Sequence, residues 1–370
     1  MSIARRLSAL ALGAGLMVAL CRAPALGAEA PLAITPHQII RLPHRADRDD
    51  APVVTGVALS PRGDLIATAG DDHLVWIWQA ADGKFVRKLR GHDDWVRTLA
   101  FHPSGNHLAS AGDDGRIIIW NVATGEMVHR LGGRPVSRRG LEPQSKTPHV
   151  PEADCIYRIL YSPDGSQLAA AGFQGTISLY NAATAQLEQR LNCPNGTMRT
   201  MEYSPDGSQL AAGGRSGQIR IWNTHDGRVL RDLAAGPQRI RTLAFSHEGD
   251  RVAAAGDGPY LRVWEVASGA ELTAFVARPG RIMALVFCGP NEIATGGSDN
   301  VIRIWNLERM IETHRLAGHE GSVSALEFNP AEATLVSGSF DTTVRFWRLP
   351  SASAAATARV PVARPRPQKN

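Results

Sequence analysis

Two parts of the sequence contain the residue types of a Ser–His–Asp catalytic triad, each followed by a tryptophan. They are His92, Ser110, Asp114 and Trp120, and His319, Ser337, Asp341 and Trp347. A serine beside a histidine that is oriented by an aspartate can act as a nucleophile in acyl transfer. Because both sets have the same order and the same spacing, however, they are more typical of a repeated structural unit than of one active site.

The sequence contains no further motif of a known reaction. It has no H-E-x-x-H zinc motif, no phosphate-binding P-loop and no G-x-G-x-x-G dinucleotide motif. Its four cysteines include no C-x-x-C pair, which argues against a cysteine zinc site and against thiol redox chemistry. We therefore expect no cofactor and no metal, and we predict a protein that is not an enzyme.

The tryptophans belong to a repeat that runs through most of the chain. Seven runs with alternating apolar residues each end at an aromatic residue: Trp78, Trp120, Tyr180, Trp222, Trp264, Trp305 and Trp347. Successive members are separated by 42, 60, 42, 42, 41 and 42 residues. The single long step contains residues 132–153, whose Pro, Gly and Arg content is typical of a loop inserted between two repeats.

Each unit predicts one antiparallel sheet of four short strands. An apolar run such as WVRTLAF leads to a Pro- and Gly-containing turn, and a second run ends at small residues such as Ala169–Gly172. A third run ends at the aromatic residue, and a fourth follows a polar turn. Short strands joined by such turns form hairpins. One sheet cannot bury both of its faces, so we expect seven of them to pack radially into a closed ring.

This pattern resembles the WD-repeat (WD40) family of β-propellers over about residues 37–349. Gly91-His92 and Gly318-His319 stand where that family has its Gly-His pair, and tryptophan stands at six of the seven aromatic positions. No unit contains the Trp-Asp dipeptide, because Gln, Asn, Glu or Arg follows each aromatic residue. The resemblance implies an all-β fold, a seven-bladed β-propeller of four-stranded antiparallel blades, over residues 34–349.

The resemblance also implies roles for the two polar sets and for an N-terminal strand. In that family the residues at the matching positions form a buried hydrogen-bonded chain from Trp to Ser to His to Asp, so we expect both sets to be structural. The last unit ends at Leu349 without a fourth strand, whereas residues 37–43 resemble a fourth strand without the first three. We predict that residues 37–43 form the outer strand of the seventh blade and close the ring.

Members of this family often bind partners on the face where blades connect, around the mouth of the central channel. At the matching positions this sequence has Arg and aromatic residues that we predict to bind a partner: Trp95, Arg97, Tyr157, Phe173, Arg199, Arg215, Arg239, Arg241, Arg281 and Phe340. Arginine binds carboxylates bidentately, and both residue types are enriched at interface hot spots. We predict a monomeric, non-catalytic scaffold that binds a partner protein or an acidic peptide. The alternative is a propeller subunit of an exported enzyme or redox complex that binds a ligand at the channel mouth.

The two ends of the chain differ in composition from the repeats. Arg5 and Arg6 precede an apolar run and an A-x-A site at Ala23–Ala25, so residues 1–25 predict a signal peptide and export to the periplasm or the exterior. The alternative is an uncleaved membrane anchor. Residues 350–370 predict a disordered basic tail. These ends carry +3 and +4 of the net charge of +5, which leaves −2 for residues 26–350 and argues against a nucleic-acid partner.

Overall fold

A computed structural model of the chain describes residues 30–43, 51–132, 155–193, 196–277 and 280–350. The predicted signal peptide lies outside these ranges, as do the predicted inserted loop beyond Gly132 and the predicted tail beyond Pro350. The described residues form 29 strands in seven sheets. Within those ranges we find no helix with the length and apolar character needed to cross a membrane.

Two short strands precede the repeats, and the first four blades follow them. The N-terminal strands are β1 (Leu32–Ile34) and β2 (Gln38–Arg41). Blade one contains β3 (Val54–Leu59), β4 (Leu65–Gly70), β5 (Leu74–Gln79) and β6 (Phe85–Arg90). Blade two contains β7 (Val96–Phe101), β8 (His107–Gly112), β9 (Arg116–Asn121) and β10 (Met127–Gly132). Blade three contains β11 (Ile156–Tyr161), β12 (Gln167–Gly172), β13 (Thr176–Asn181) and β14 (Leu187–Asn192). Blade four contains β15 (Met198–Tyr203), β16 (Gln209–Gly214), β17 (Gln218–Asn223) and β18 (Val229–Ala234).

The remaining three blades complete the ring. Blade five contains β19 (Ile240–Phe245), β20 (Arg251–Gly256), β21 (Tyr260–Glu265) and β22 (Glu271–Val276). Blade six contains β23 (Ile282–Gly289), β24 (Glu292–Gly297), β25 (Ile302–Asn306) and β26 (Ile311–Leu316). Blade seven contains β27 (Val323–Asn329), β28 (Thr334–Ser339) and β29 (Thr343–Arg348). All pairs within these blades are antiparallel, which confirms the predicted all-β propeller.

The first strand of each blade is the innermost one, and the core lies between the blades. Each first strand contacts the first strands of both neighbouring blades, and the contact of β27 with β3 closes the circle. Seven clusters of buried apolar side chains fill the seven gaps between neighbouring sheets. Every sheet therefore has both faces covered, which is why one blade is not expected to be stable by itself.

The N-terminal strand β2 completes blade seven, as the sequence predicted. It pairs antiparallel with β29, with Gln38 opposite Phe346 and Arg41 opposite Thr343. Ile40 and Leu42 are buried in the cluster between blades seven and one. The two ends of the repeat region are therefore held in one sheet.

The strand β1 was not predicted from the sequence. It pairs parallel with β26 and makes the sheet of blade six five-stranded. Ile34 packs against the cluster between blades six and seven, whereas Leu32 is exposed. Three residues with one partly buried side chain give no alternating pattern long enough to identify a strand from sequence.

Candidate functional site

The four polar residues of blade two form one continuous buried chain of hydrogen bonds. Trp120 Nε1 donates to Ser110 Oγ at 2.8 Å, and Ser110 Oγ lies 2.7 Å from His92 Nε2. His92 Nδ1 lies 2.9 Å from Asp114 Oδ2. The carboxylate favours the tautomer that donates from Nδ1, so Nε2 accepts the serine proton. The same carboxylate accepts the backbone N–H of Asp93 and ties the loop between blades to the sheet.

Blade seven repeats this chain with one additional member. Trp347 Nε1 donates to Ser337 Oγ at 2.8 Å, Ser337 Oγ lies 2.7 Å from His319 Nε2, and His319 Nδ1 lies 2.8 Å from Asp341 Oδ2. Thr343 Oγ1 also donates to Asp341 at 2.6 Å. Burial raises the pKa of Asp341, but the hydrogen bonds from His319 and Thr343 outweigh it and hold that pKa well below its ordinary value.

Neither serine of these chains is placed to meet a substrate. Ser110 and Ser337 have 0 % exposed surface, and each hydroxyl already accepts from an indole and faces an imidazole. A nucleophile must have an open position beside it for the reacting carbon. The geometry is therefore that of a buried polar network, which rigidifies a fold when all its members are satisfied.

Blades one and six contain shortened versions of this network. Trp78 Nε1 donates to Thr68 Oγ1 at 3.0 Å, and Trp305 Nε1 donates to Thr295 Oγ1 at 2.9 Å. In blade one the carboxylate of Asp72 accepts from the indole of Trp76 at 2.7 Å. The sequence offers His44 as a possible histidine partner in blade one, and that residue lies outside the described part of the chain.

Backbone geometry places the candidate binding residues around the channel mouth. Gly214 ends the second strand of blade four, and a Cβ there would lie 2.0 Å from the carbonyl oxygen of Thr197. Only glycine permits this approach, which lets the N–H of Arg215 donate to the same carbonyl at 3.0 Å. In blade five the backbone N–H of Asp257 donates in the same way to the carbonyl oxygen of Arg239. The residues after the second strand are thus held beside those that begin the first strand.

A depression of about 170 Å³ lies at this mouth. Five of the ten residues predicted to bind a partner line it: Arg97, Tyr157, Arg199, Arg241 and Phe340. The other lining residues are Thr55, Met283 and Ser324. Phe173 and Arg215 occupy matching positions on the same face but are not part of this lining.

Two arginines of the mouth stack on aromatic rings. The guanidinium of Arg199 lies 3.8 Å from the ring centroid of Tyr157, and that of Arg97 lies 4.5 Å from the ring of Trp95. Arg97 also forms a bidentate ion pair with Asp113, through Nε at 2.9 Å and Nη2 at 2.5 Å. Stacking and pairing hold these long side chains in fixed positions, which lowers the entropy that binding must remove.

One carboxylate serves three arginines on the other side of the mouth. Asp257 forms a close ion pair with Arg241, and the Nε atoms of Arg239 and Arg281 lie 3.9 Å and 3.8 Å from its oxygens. Among the described residues, the buried Nε atoms of Arg199 and Arg239 have no hydrogen-bond partner. Positive charge therefore exceeds negative charge among these side chains.

The electrostatic surroundings of Arg199 report this excess of positive charge. Burial lowers the pKa of Arg199, and the charges of Arg239, Arg241 and Arg97 lower it further, while Tyr157 opposes them. An arginine remains charged under such conditions because its ordinary pKa is far above neutral pH.

The central channel contains charged residues that the sequence reasoning missed. It encloses about 590 Å³, and Arg158, Glu202 and Glu327 are among the residues that line it. Arg158 Nη2 and Glu202 Oε2 form an ion pair at 3.3 Å. Burial raises the pKa of Glu327 to about 7, Glu202 adds to the rise and Arg158 opposes it. Glu202 and Glu327 each follow a residue of the mouth by three positions, so an alignment of the repeats could have shown that the two glutamates are equivalent.

Neither a disulfide nor a metal site is formed by the residues that the structure describes. Cys193 and Cys288 are free thiols, so Cys193 forms no disulfide with Cys155. Within the described ranges, no three His, Cys, Asp or Glu side chains are grouped so that they could hold a metal ion.

Short segments of the chain are similar to longer known proteins. One segment of 58 residues is 45% identical to Periodic tryptophan protein 2 homolog of Neurospora crassa, covering 15% of this chain and 6% of that protein. Another of 59 residues is 37% identical to DDB1- and CUL4-associated factor 13 of Dictyostelium discoideum, covering 16% of this chain and 13% of that protein. A third, also of 59 residues, is 39% identical to Transducin beta-like protein 3 of Bos taurus, covering 15% and 7%. The matched segments thus span only a small part of these relatives.

A family model described as "WD domain, G-beta repeat" matches the chain in five places. The matches cover residues 42–79, 83–121, 143–181, 185–223 and 311–348, which together are more than half of the chain. They leave out blade five and most of blade six, which the repeat spacing predicted and which the structure shows as sheets of the same kind. With its seven blades and these five matched repeats, the chain belongs to the WD40 repeat family.

Proposed function

We propose that this protein is a non-catalytic scaffold that binds a partner protein through an acidic segment at the channel mouth. The observation that supports this most strongly is the convergence of Arg97, Arg199 and Arg241 with Tyr157 and Phe340 around one depression. Arginine and aromatic residues at the centre of a recessed surface are typical of interface hot spots.

The charge of the mouth favours an acidic segment over a neutral or basic one. The matching positions on this face hold six arginines and three aspartates, a formal charge of +3 on a repeat region whose net charge is −2. The guanidinium groups of Arg97, Arg199 and Arg241 line the depression and are suited to carboxylate oxygens, which arginine binds through paired N–H groups. The exposed rings of Trp95 and Phe340 offer apolar contact beside them.

Similar proteins support the scaffold role at a coarser level. DDB1- and CUL4-associated factor 13, to which a segment of this chain is 37% identical, is named for its association with other proteins. A propeller offers a rigid ring on which several blades contribute to one surface, as here at the mouth.

Reversing the charge of two mouth arginines should strongly weaken binding of an acidic peptide. The variant combines Arg199→Glu with Arg239→Glu, because Arg199 lines the depression and Arg239 belongs to the group of arginines around Asp257. A labelled Asp/Glu-rich peptide, followed by fluorescence anisotropy, should bind the double variant at least about tenfold more weakly than the wild type. Binding to the wild type should also weaken as salt is added.

The matched control for this experiment carries the same charge change elsewhere. Arg190 lies in the outer strand β14 and Arg228 in the turn before β18, and both are exposed. Arg190→Glu combined with Arg228→Glu should leave peptide affinity within about twofold of the wild type. Equal losses in both double variants would mean that net charge, and not the mouth, controls binding.

We also propose that the chain is exported, with the predicted signal peptide removed near Ala25. The proposal rests on the Arg5–Arg6 pair, the apolar run and the A-x-A site described above. N-terminal sequencing of the protein isolated from its native host should begin close to residue 26. A mature chain that starts at Met1 or Ser2 and is found in the cytoplasm would contradict export.

A further inference from the structure

A ring of seven aligned positions surrounds the channel one level below the mouth. Each position is three residues after the mouth residue of its innermost strand: Ala58, Ala100, Leu160, Glu202, Ala244, Val286 and Glu327. Five of the seven are apolar, and three of those are alanines that leave space in the channel. The two glutamates, in blades four and seven, are the charged members of this ring.

The charges at this level do not balance. Glu202 is paired with Arg158, which is contributed by the neighbouring blade three. Glu327 is partly buried and, within the described part of the chain, its carboxylate takes part in no hydrogen bond and no ion pair. One guanidinium therefore faces two carboxylates, a net charge of −1 when all three groups are ionised. A carboxylate enclosed by protein without a counter-ion is costly unless a proton, a water molecule or a ligand satisfies it. Toward the mouth the same channel is lined by Arg97, Arg199 and Arg241, so the excess of negative charge is confined to the level of Glu327.

We propose that the channel binds an organic cation of the alkylammonium class, with its charged head at Glu327 and its alkyl part against the apolar ring. The ammonium group supplies three N–H donors and the single positive charge that balances the site. The alanine, leucine and valine side chains can make apolar contact with an alkyl chain, whereas they have no polar group that could bind a hydrated ion. A metal ion is disfavoured, since no group of three or more side chains able to hold one occurs among the described residues.

Such a head group has two possible sources, and the site does not depend on the mouth binding an acidic peptide. A free amine could enter the channel as a small ligand. Alternatively, a lysine of a docked partner could reach down into the channel from the mouth. The mouth lies three strand residues above Glu327, which corresponds to about 10 Å. Lysine carries its charge on a flexible four-carbon stem, so its chemistry at Glu327 would be the same.

Titration of the full chain with n-butylammonium, followed by NMR, tests the shared chemistry. We expect saturable binding to the wild type and a loss of at least about tenfold in affinity for Glu327→Gln, which removes the unpaired charge at constant size. Glu332→Gln, in the same blade but at an exposed turn, is the matched control and should bind like the wild type. Ala244→Leu, which fills the ring without changing charge, should also block binding.

The source of the cation is tested with two capped peptides, Asp-Asp-Lys-Asp-Asp and the same peptide with norleucine in place of lysine. If the partner supplies the head group, the lysine peptide should bind the wild type at least about tenfold more tightly, and Glu327→Gln should erase this difference. If a free amine is the ligand, butylammonium binds and the two peptides do not differ.

The proposal is overturned if butylammonium fails to bind and the peptides do not differ, or if Glu327→Gln binds both probes as the wild type does. Thermal melts of each variant show that it is folded, and shifts of the Glu327 side-chain signals in the wild type offer a readout that needs no variant. Failure of the mouth proposal looks different, because both peptides would then remain unbound while butylammonium still binds.

Discussion

Deletion of residues 37–43 should unfold the whole propeller and not one blade alone, with a loss of about 5 kcal/mol or more in the free energy of unfolding. The strand β2 places Ile40 and Leu42, which are 4% and 3% exposed, in the cluster between blades seven and one. Removing each buried aliphatic side chain costs about 2–5 kcal/mol. The sum approaches the total stability of an ordinary domain, so urea unfolding followed by circular dichroism should show little or no folded protein.

Two neighbouring residues of β2 provide the matched test of this argument. Ile40 faces the cluster, whereas the side chain of Ile39 is 41% exposed. Ile40→Ser should cost about 3 kcal/mol, because it creates a cavity and buries a hydroxyl. Ile39→Ser should cost less than about 0.5 kcal/mol. Equal costs, or a deletion variant with the Tm of the wild type, would show that β2 does not hold the ring closed.

Ser337→Ala should destabilise the protein by about 3 kcal/mol, although it removes one oxygen atom from a residue with no exposed surface. The substitution leaves two buried groups without a partner, the indole N–H of Trp347 and the Nε2 atom of His319. Each buried polar group that loses its partner costs about 1–3 kcal/mol. Ser166→Ala, at an exposed turn, is the control and should change the free energy of unfolding by less than about 0.5 kcal/mol.

The same network should make stability depend on pH through Asp341. Its pKa is held below the ordinary 3.8, so the folded state prefers the carboxylate and the unfolded state binds the proton more readily. The stabilisation is therefore present above about pH 3.8 and is lost as the pH falls through the folded-state pKa. Asp341→Asn should be less stable than the wild type at pH 7, and urea unfolding at pH 3 should show a smaller difference. A difference that grows on acidification would contradict this assignment.

The period and turn chemistry of the sequence were sufficient to predict the fold. Alternating apolar residues at a spacing of 41–42 residues indicate strands and a repeated sheet, and both signals are local. They identified blades five and six, which the family model does not match in full. The last unit lacks a fourth strand, and residues 37–43 resemble a fourth strand that has no unit of its own. Together these two observations predicted the ring closure, which is the pairing of β2 with β29.

The positions of the mouth residues could also be predicted, but their interactions could not. Alignment of the repeats placed Tyr157 and Arg199 at equivalent positions of adjacent blades, and the guanidinium of Arg199 does stack on the ring of Tyr157. The sharing of Asp257 among Arg239, Arg241 and Arg281 depends on how two blades are oriented. Side-chain directions across a blade boundary are set by packing, and no sequence spacing reports them.

By itself the sequence determined the number of blades, the order of the strands in each repeat and the residue types at the channel mouth. These features can be read from the sequence because successive side chains of a strand point to opposite faces, so buried and exposed residues alternate along the chain. Only the tertiary structure placed Glu327 opposite the Arg158–Glu202 pair, since these residues lie in blades seven, three and four. It also decided that β1 pairs with blade six. Closing the ring brings together residues that are distant in the chain, and the charge balance of the channel is a property of that closed ring.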